Sequence, residues 1–179
     1  KGKPQRQNYR TKQMVFQTPP DPVDPRRTLG DGIGESLRNA GLSRKETREK
    51  VEALLKDCGL PPEYADRYPH QVSGGQCQRA AIARALAIAP RLLICDEITS
   101  ALDVTVQKEI LELLNTLRTQ RGRGLYILFI SHDISLVQQF CDRVLVMYHG
   151  EIVEEGTPDE VIRNPQNDYT KRLIDSVLS

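Results

Sequence analysis

The run Leu92-Leu93-Ile94-Cys95 ends in two carboxylates, Asp96 and Glu97, and no other stretch restricts the fold so tightly. Four consecutive apolar residues leave a strand with no polar face, so it calls for cover on both sides, as strands of parallel sheets do. An Ala-rich helix over residues 76–89 precedes it and stops at Pro90. A long helix over 103–121 follows, with Val106, Ile110, Leu113, Leu114 and Leu117 on one face. Residues 125–130 form a second buried strand, and Asp133 caps a helix that runs through Cys141. Strands alternating with helices in this way predict an α/β fold with a parallel sheet. Residues 144–148 and 151–153 flank a His149-Gly150 turn and read as a hairpin. Helical signals over 158–163 and 169–178 finish the chain.

The upstream part is organised differently. Residues 12–16 read as a short strand, after which Pro19, Pro20, Pro22 and Pro25 make a stiff loop that neither strand nor helix can traverse. Residues 28–40 predict a helix weakened by Gly30, Gly32 and Gly34. Ser43-Arg44-Lys45-Glu46 is a capping box, followed by Val51, Leu54, Leu55 and Cys58 at helical spacing. Gly59 with Pro61 and Pro62 stops that helix. Residues 18–72 are thus expected to be a largely helical insertion.

Composition sets limits on function. Lys plus Arg (25) nearly balance Asp plus Glu (24), so no global field favours nucleic acid. The first 20 residues carry Lys1, Lys3, Arg6, Arg10 and Lys12 without an acid, which reads as a solvated terminus. No apolar run approaches the ~20 residues that cross a bilayer. Cys58, Cys77, Cys95 and Cys141 lie far apart without a Cys-x-x-Cys pair, which favours reduced thiols and a cytoplasmic setting over metal or disulfides.

Two features carry chemistry. Ser73-Gly74-Gly75-Gln76 opens a helix, where free N–H groups and the positive end of the helix dipole suit a phosphate. Asp96 and Glu97 at a strand's end suit a hydrated divalent cation and a water that must be oriented. Read alone, Ser-Gly-Gly is more often a plain turn and an Asp-Glu pair a solvated one. The continuation Gln78-Arg79-Ala80-Ala81-Ile82-Ala83-Arg84-Ala85-Leu86 and the flanking apolar strand make the combination specific.

In order and spacing these motifs resemble the signature and Walker B motifs of the ATP-binding cassette (ABC) ATPases. Three further matches stand in the family's order: Gln17 resembles the Q-loop glutamine, Ser100-Ala101-Leu102-Asp103 the D-loop, and His132 the switch histidine, 35 residues beyond Glu97. The resemblance implies that Glu97 orients the lytic water, helped by His132 and Gln17. It implies that Asp96 and Gln17 serve Mg2+, and that Ser73, Gly74, Gly75, Gln76 and Asp103 serve ATP. Asn164-Pro165-Gln166-Asn167-Asp168-Tyr169-Thr170 resembles the Asn-Pro-x-x-x-Tyr-Thr tail of oligopeptide, dipeptide and nickel importer ATPases. Phe16-Gln17-Thr18-Pro19 through Asp24-Pro25-Arg26 is similar to a stretch of the same group. Repair ATPases of the superfamily carry a long coiled coil where this chain has roughly 55 residues between Gln17 and Ser73. Val72 replaces the usual Leu, Ile98 the usual Pro, and Cys77 a longer polar residue; none of the three removes a ligand.

The resemblance divides the chain into a core remnant over 1–17, a helical subdomain with the signature over 18–89, an α/β catalytic core over 90–157 and a helical extension over 158–179. No Gly-x-x-x-x-Gly-Lys-Ser/Thr loop occurs in these residues, and the first residue is Lys rather than Met, which reads as a trimmed protein or a fragment. The expected fold is therefore a partial P-loop NTPase cassette, an α/β parallel sheet with a helical subdomain that lacks the Walker A part. The parent is expected to hydrolyse ATP with Mg2+ as a head-to-tail dimer with a second ABC subunit, identical or not. Its other partners would be membrane permease subunits and, indirectly, a solute-binding protein, with no nucleic acid, at the cytoplasmic face of the inner membrane. The chain alone is expected to be inactive and to expose apolar strand surface that drives self-association. A non-transport ABC ATPase of DNA repair or translation, and a non-catalytic dimerisation piece, remain the alternatives.

Overall fold

The structure is a computed structural model that describes residues 12–16, 26–120 and 124–178. It comprises two units, one closing at Ile130 and one beginning at Ser131. In the first, three parallel strands form a sheet in the order β1 (Lys12–Phe16), β2 (Leu92–Asp96), β3 (Tyr126–Ile130). Asp96 lies opposite Phe16 on one side and Ile130 on the other, so the acidic end of β2 is flanked by both neighbours. The apolar run thus produced the central parallel strand expected of it.

The two faces of this sheet differ. Val15, Leu93 and Cys95 are buried on the face that meets the helical layer. On the opposite face, Met14, Ile94 and Leu128 form one cross-strand row, and Met14 and Leu128 are 39% and 41% exposed. Tyr126 and Ile130 on that face are exposed as well. The expectation that β3 is a buried strand is therefore corrected, because its residues alternate between half-buried and exposed. An unbroken apolar run shows that a strand tolerates cover on both faces; it does not supply the second layer.

Five helical pieces precede β2. Helix α1 (Leu29–Asn39) is capped by the Thr28 hydroxyl, and α2 (Arg44–Asp57) by the Ser43–Glu46 box read from the sequence. Two 3-10 turns, Pro62–Asp66 and Pro69–Gln71, lead to α3 (Gly74–Leu86). The glycines of α1 have a use that propensity alone does not show. A Cβ at Gly30 would lie 2.6 Å from the Ala65 carbonyl oxygen, so only glycine lets α1 seat against the first 3-10 turn. Leu29, Ile33, Leu37, Val51, Leu55 and Ile82 form the core of this helical part. After β2, α4 (Val104–Gln120) buries Ile110, Leu111, Leu113, Leu114 and Leu117, close to the predicted apolar stripe.

The second unit contains α5 (Ile134–Phe140), an antiparallel hairpin of β4 (Val144–Tyr148) and β5 (Glu151–Gly156), a π-helical turn (Asp159–Arg163) and α6 (Asp168–Leu178). His149 and Gly150 both take positive φ, which turns the hairpin as the sequence predicted. The Asn-Pro-x-x-x-Tyr-Thr tail is bound to the hairpin. The Asn167 amide donates to the Val153 carbonyl at 3.4 Å, and its Oδ1 accepts the Tyr169 N–H at 2.8 Å. The Glu154 carboxylate accepts the N–H groups of Gln166 and Asn167. Burial works to raise the Glu154 pKa, but these donors, with the Thr170 hydroxyl and the Lys171 charge, hold the group below its ordinary value. The rings of Tyr148 and Tyr169 lie 4.1 Å apart, which closes the contact.

Candidate nucleotide site

The chain leaves β2 through a bend at Glu97, immediately after Asp96. Its φ of +48° places a non-glycine residue in the left-handed region, a conformation that surrounding structure has to hold. Three bonds do so. The Glu97 N–H donates to the Ile130 carbonyl at 2.9 Å, and the Glu97 carbonyl accepts the N–H of Ser100 at 3.1 Å and its hydroxyl at 2.8 Å. Ile98 and Thr99 are buried beneath this turn. Asp96 and Glu97 themselves are half-buried. Departure from the sheet axis at an acidic strand end, fastened on both sides, is backbone strain of the kind that marks functional sites.

The Ser73 turn is built as a reciprocal cap. Ser73 Oγ accepts the Gln76 N–H at 3.3 Å, and Gln76 Oε1 accepts the Ser73 N–H at 2.9 Å. A hydroxyl that accepts one bond keeps its own hydrogen to donate. The N–H groups of Gly74 and Gly75 lie in the first helical turn, where no intrahelical acceptor exists. The turn therefore retains a hydroxyl donor, two amides and the positive helix end for an anion. Gln76, predicted as a nucleotide ligand, has both ends of its amide engaged within the chain, because its Nε2 donates to the Tyr64 hydroxyl at 3.1 Å.

Asp103 begins α4. Its carboxylate accepts the N–H groups of Thr105 and Val106, both at 3.1 Å, an N-cap that accompanies the D-loop role implied for it. Gln107 on the same helix donates to the carbonyls of Thr99 and Leu102, tying the D-loop to the turn after Glu97. Arg79 on α3 bridges to Glu109 on α4 at 3.0 Å and donates to the Cys58 carbonyl at the end of α2 at 3.2 Å. Tyr64, Val106 and Glu109 thus belong to the surroundings of this turn. Nothing in the sequence marked them, since Tyr64 sits nine residues before Ser73 in an unremarkable Pro-Pro-Glu-Tyr stretch and the others read as helix faces.

Gln17 and the proline loop lie outside the described residues. His132 is exposed in the second unit, just before Asp133, whose carboxylate caps α5 through the N–H groups of Ser135 and Leu136. Cys58 and Cys95 are fully buried, burial pushes the Cys95 thiol up to about 12, and it raises Cys77 as well.

The donor set fits a magnesium–nucleotide pair. Among the described residues no group of three or more His, Cys, Asp or Glu is gathered to cage a metal. Mg2+ prefers one or two carboxylates with waters and phosphate oxygens, which Asp96 and Glu97 match. Among the described residues no helix is long and apolar enough to cross a membrane.

A layered α/β fold with a phosphate-type turn and a fastened acidic strand end defines a nucleotide-handling class of protein. The ABC transporter family profile matches residues 3–100, more than half of the chain, and the chain belongs to that family. It is 50% identical over 167 residues to the oligopeptide transport ATP-binding protein OppF of Escherichia coli K12, covering 92% of this chain and 49% of the relative. It is 46% identical over 170 residues to the di/tripeptide transport ATP-binding protein DppF of Pseudomonas aeruginosa, covering 94% and 52%. The glutathione import ATP-binding protein GsiA of Escherichia coli O6:H1 is 50% identical over 166 residues, which are 92% of this chain and 26% of that protein. The chain spans about half the length of the OppF and DppF relatives. Among solved structures, cbiO1 of Clostridium perfringens, part of the ABC transporter complex cbiONQ, superposes with a TM-score of 0.73 at 32% identity. That match covers 94% of this chain and 63% of the other.

Proposed function

We propose that these residues serve an ATP-hydrolysing subunit of an ABC importer for peptides. The observation that carries the reading is the strained, fastened Asp96–Glu97 turn at the end of the central strand. Support comes from the internally capped Ser73 turn and from relatives whose names specify oligopeptide, di/tripeptide and glutathione transport. Glu97 accepts a proton from, or orients, the water that attacks the terminal phosphate. Asp96 would hold Mg2+, which when bound would supply positive charge to the phosphates. Ser73, Gly74 and Gly75 donate hydrogen bonds to the nucleotide of a second ABC subunit in a head-to-tail dimer. Asp103 lies along that seam, His132 contacts the terminal phosphate and Gln17 reports to the membrane permease subunits. In this role the subunit sits peripherally at the cytoplasmic membrane face.

The 179 residues contain no Gly-x-x-x-x-Gly-Lys-Ser/Thr stretch, so on their own they lack the main phosphate cradle and do not turn over ATP. The test compares the whole protein, assembled with its importer subunits, with the same assembly carrying Glu97→Gln. Loss of a positioned general base lowers turnover by about 10²–10⁴-fold. Equal turnover by the two would sink the assignment of Glu97.

A further inference from the structure

We infer that Tyr64 is a positioning residue for the Ser73 turn, acting through Gln76; this rests on the ATPase reading of that turn. Gln76 is the pivot of the reciprocal cap, because its Oε1 holds the Ser73 N–H at 2.9 Å. The other end of the same amide is held by the Tyr64 hydroxyl at 3.1 Å. A primary amide whose two ends are both bonded cannot rotate without breaking one bond, so Tyr64 fixes the plane of Gln76 and with it the cap.

Tyr64 is itself anchored from three directions. The Arg67 guanidinium lies 4.1 Å over its ring. Asp66, two residues on, pairs with Arg48 of α2 through both guanidinium nitrogens, and this fork holds the Asp66 carboxyl below its ordinary range. The Leu29 N–H donates to the Arg67 carbonyl at 2.8 Å, and Ala65 is buried against α1. The hydroxyl is therefore presented by a turn pinned to α1 and α2, not by a free loop.

Packing does not substitute for this bond. A cavity of about 300 Å3 opens beside it, lined by Tyr64, Gln76, Arg79, Val106 and Glu109 among others. With space next to the amide, the hydrogen bond to Tyr64 restrains the end of the amide that the Ser73 N–H does not hold. Removing only the hydroxyl should let Gln76 swing toward the cavity and leave the Ser73 N–H intermittently uncapped. The Ser73 hydroxyl and the Gly74 and Gly75 amides would then meet the phosphate in a broader set of positions.

The experiment uses the whole protein in its importer assembly and the variants Tyr64→Phe, Gln76→Ala and both together, beside Glu97→Gln. Losing one positioning hydrogen bond should lower kcat roughly three- to tenfold. KM for ATP should stay unchanged, and so should the unfolding temperature of Tyr64→Phe, because the nucleotide's principal phosphate contacts and the core are untouched. Gln76→Ala also loses its half of the cap and should unfold at a lower temperature. Tyr64→Phe added to Gln76→Ala should cost nothing further, as expected when one residue acts through the other. Wild-type kcat in Tyr64→Phe, additive losses in the double variant, or a kcat loss in Tyr64→Phe that tracks a fall in its unfolding temperature would each overturn the inference. If wild type and Glu97→Gln turn over ATP equally, it is the ATPase reading that fails, and the inference falls with it.

Discussion

Gly75→Ala tests whether the glycine after Gly74 is required by packing within the chain. A Cβ built at Gly75 would lie 2.6 Å from Val106 Cγ1, whereas carbon atoms rest about 3.5–4.0 Å apart. The contact must therefore open by about 1 Å. The offending atom is one methyl of a β-branched residue in the first turn of α4, where χ1 is stiff and rotation away is costly. Overpacking of this size costs about 1–3 kcal/mol, and replacing glycine by alanine in a helix returns up to about 1 kcal/mol. The net expectation is a loss of about 1–2 kcal/mol, or several degrees in Tm for a chain of this length. The decisive measurement repeats the substitution in a Val106→Ala background. There the clashing methyl is gone, and the nearest surviving atom, Val106 Cβ, sits at an ordinary 3.8 Å. Gly75→Ala should then become neutral or mildly stabilising, giving a coupling of roughly 2 kcal/mol between the two sites. Urea unfolding followed by far-UV circular dichroism of the four proteins reads this directly. The same destabilisation in both backgrounds would refute the steric argument. A turnover defect of the whole protein that persists in the double variant would show that the phosphate itself also needs the glycine.

Cys95 predicts a loss of stability on the alkaline side. Its thiol pKa is raised from 9.0 to about 12 in the folded chain, so the unfolded chain releases that proton first. The stabilisation is fully present below pH 9 and is lost as pH rises toward about 12, with a slope of at most ~1.4 kcal/mol per pH unit. Urea midpoints between pH 8 and 11 should fall more steeply for wild type than for Cys95→Ala; parallel curves would contradict the burial argument. In the second unit, Asn167→Ala removes the side chain that caps α6 and holds the Val153 carbonyl. About 1 kcal/mol should be lost, seen as faster amide exchange in α6 with α5 unchanged. Unaltered protection of α6 would show that the Glu154 contacts alone hold the tail.

Helix starts were legible because they are local. The Ser43–Glu46 box and the Asp133 cap each need only residues two or three apart, and both form as read. The Ser73–Gln76 box is equally local, but its residues read only as a turn, with the helix starting at 76 and not at Gly74. β2, β3 and β4 were legible from apolar runs, with β2 shifted by one residue from the expected 91–95 to Leu92–Asp96 and β5 continuing beyond the expected 153 to Gly156. The exposed face of β3 was not, because cover depends on what packs from outside the strand. The left-handed backbone at Glu97 was not either. Glutamate has no preference for that region, and the bonds that impose it come from Ile130 and Ser100. Tyr64 escaped for the same reason, since its partner Gln76 is twelve residues away and only the 3-10 turn brings the two together. Local chemistry can be read one-dimensionally; long-range restraint cannot.

Those long-range restraints converge on one element. The first turn of α4 carries Val106, against which Gly75 of the phosphate-type turn packs, and Gln107, which holds the Thr99 carbonyl just beyond Glu97. One turn further, Glu109 holds Arg79 of α3. The Ser73 turn and the Glu97 turn are thus fastened to the same end of a single 17-residue helix. Ile110, Leu114 and Leu117 are buried along α4, so both turns are fastened to one closely packed helix. In the proposed reading, phosphate capture by the Ser73 turn and water activation at Glu97 would share this one support.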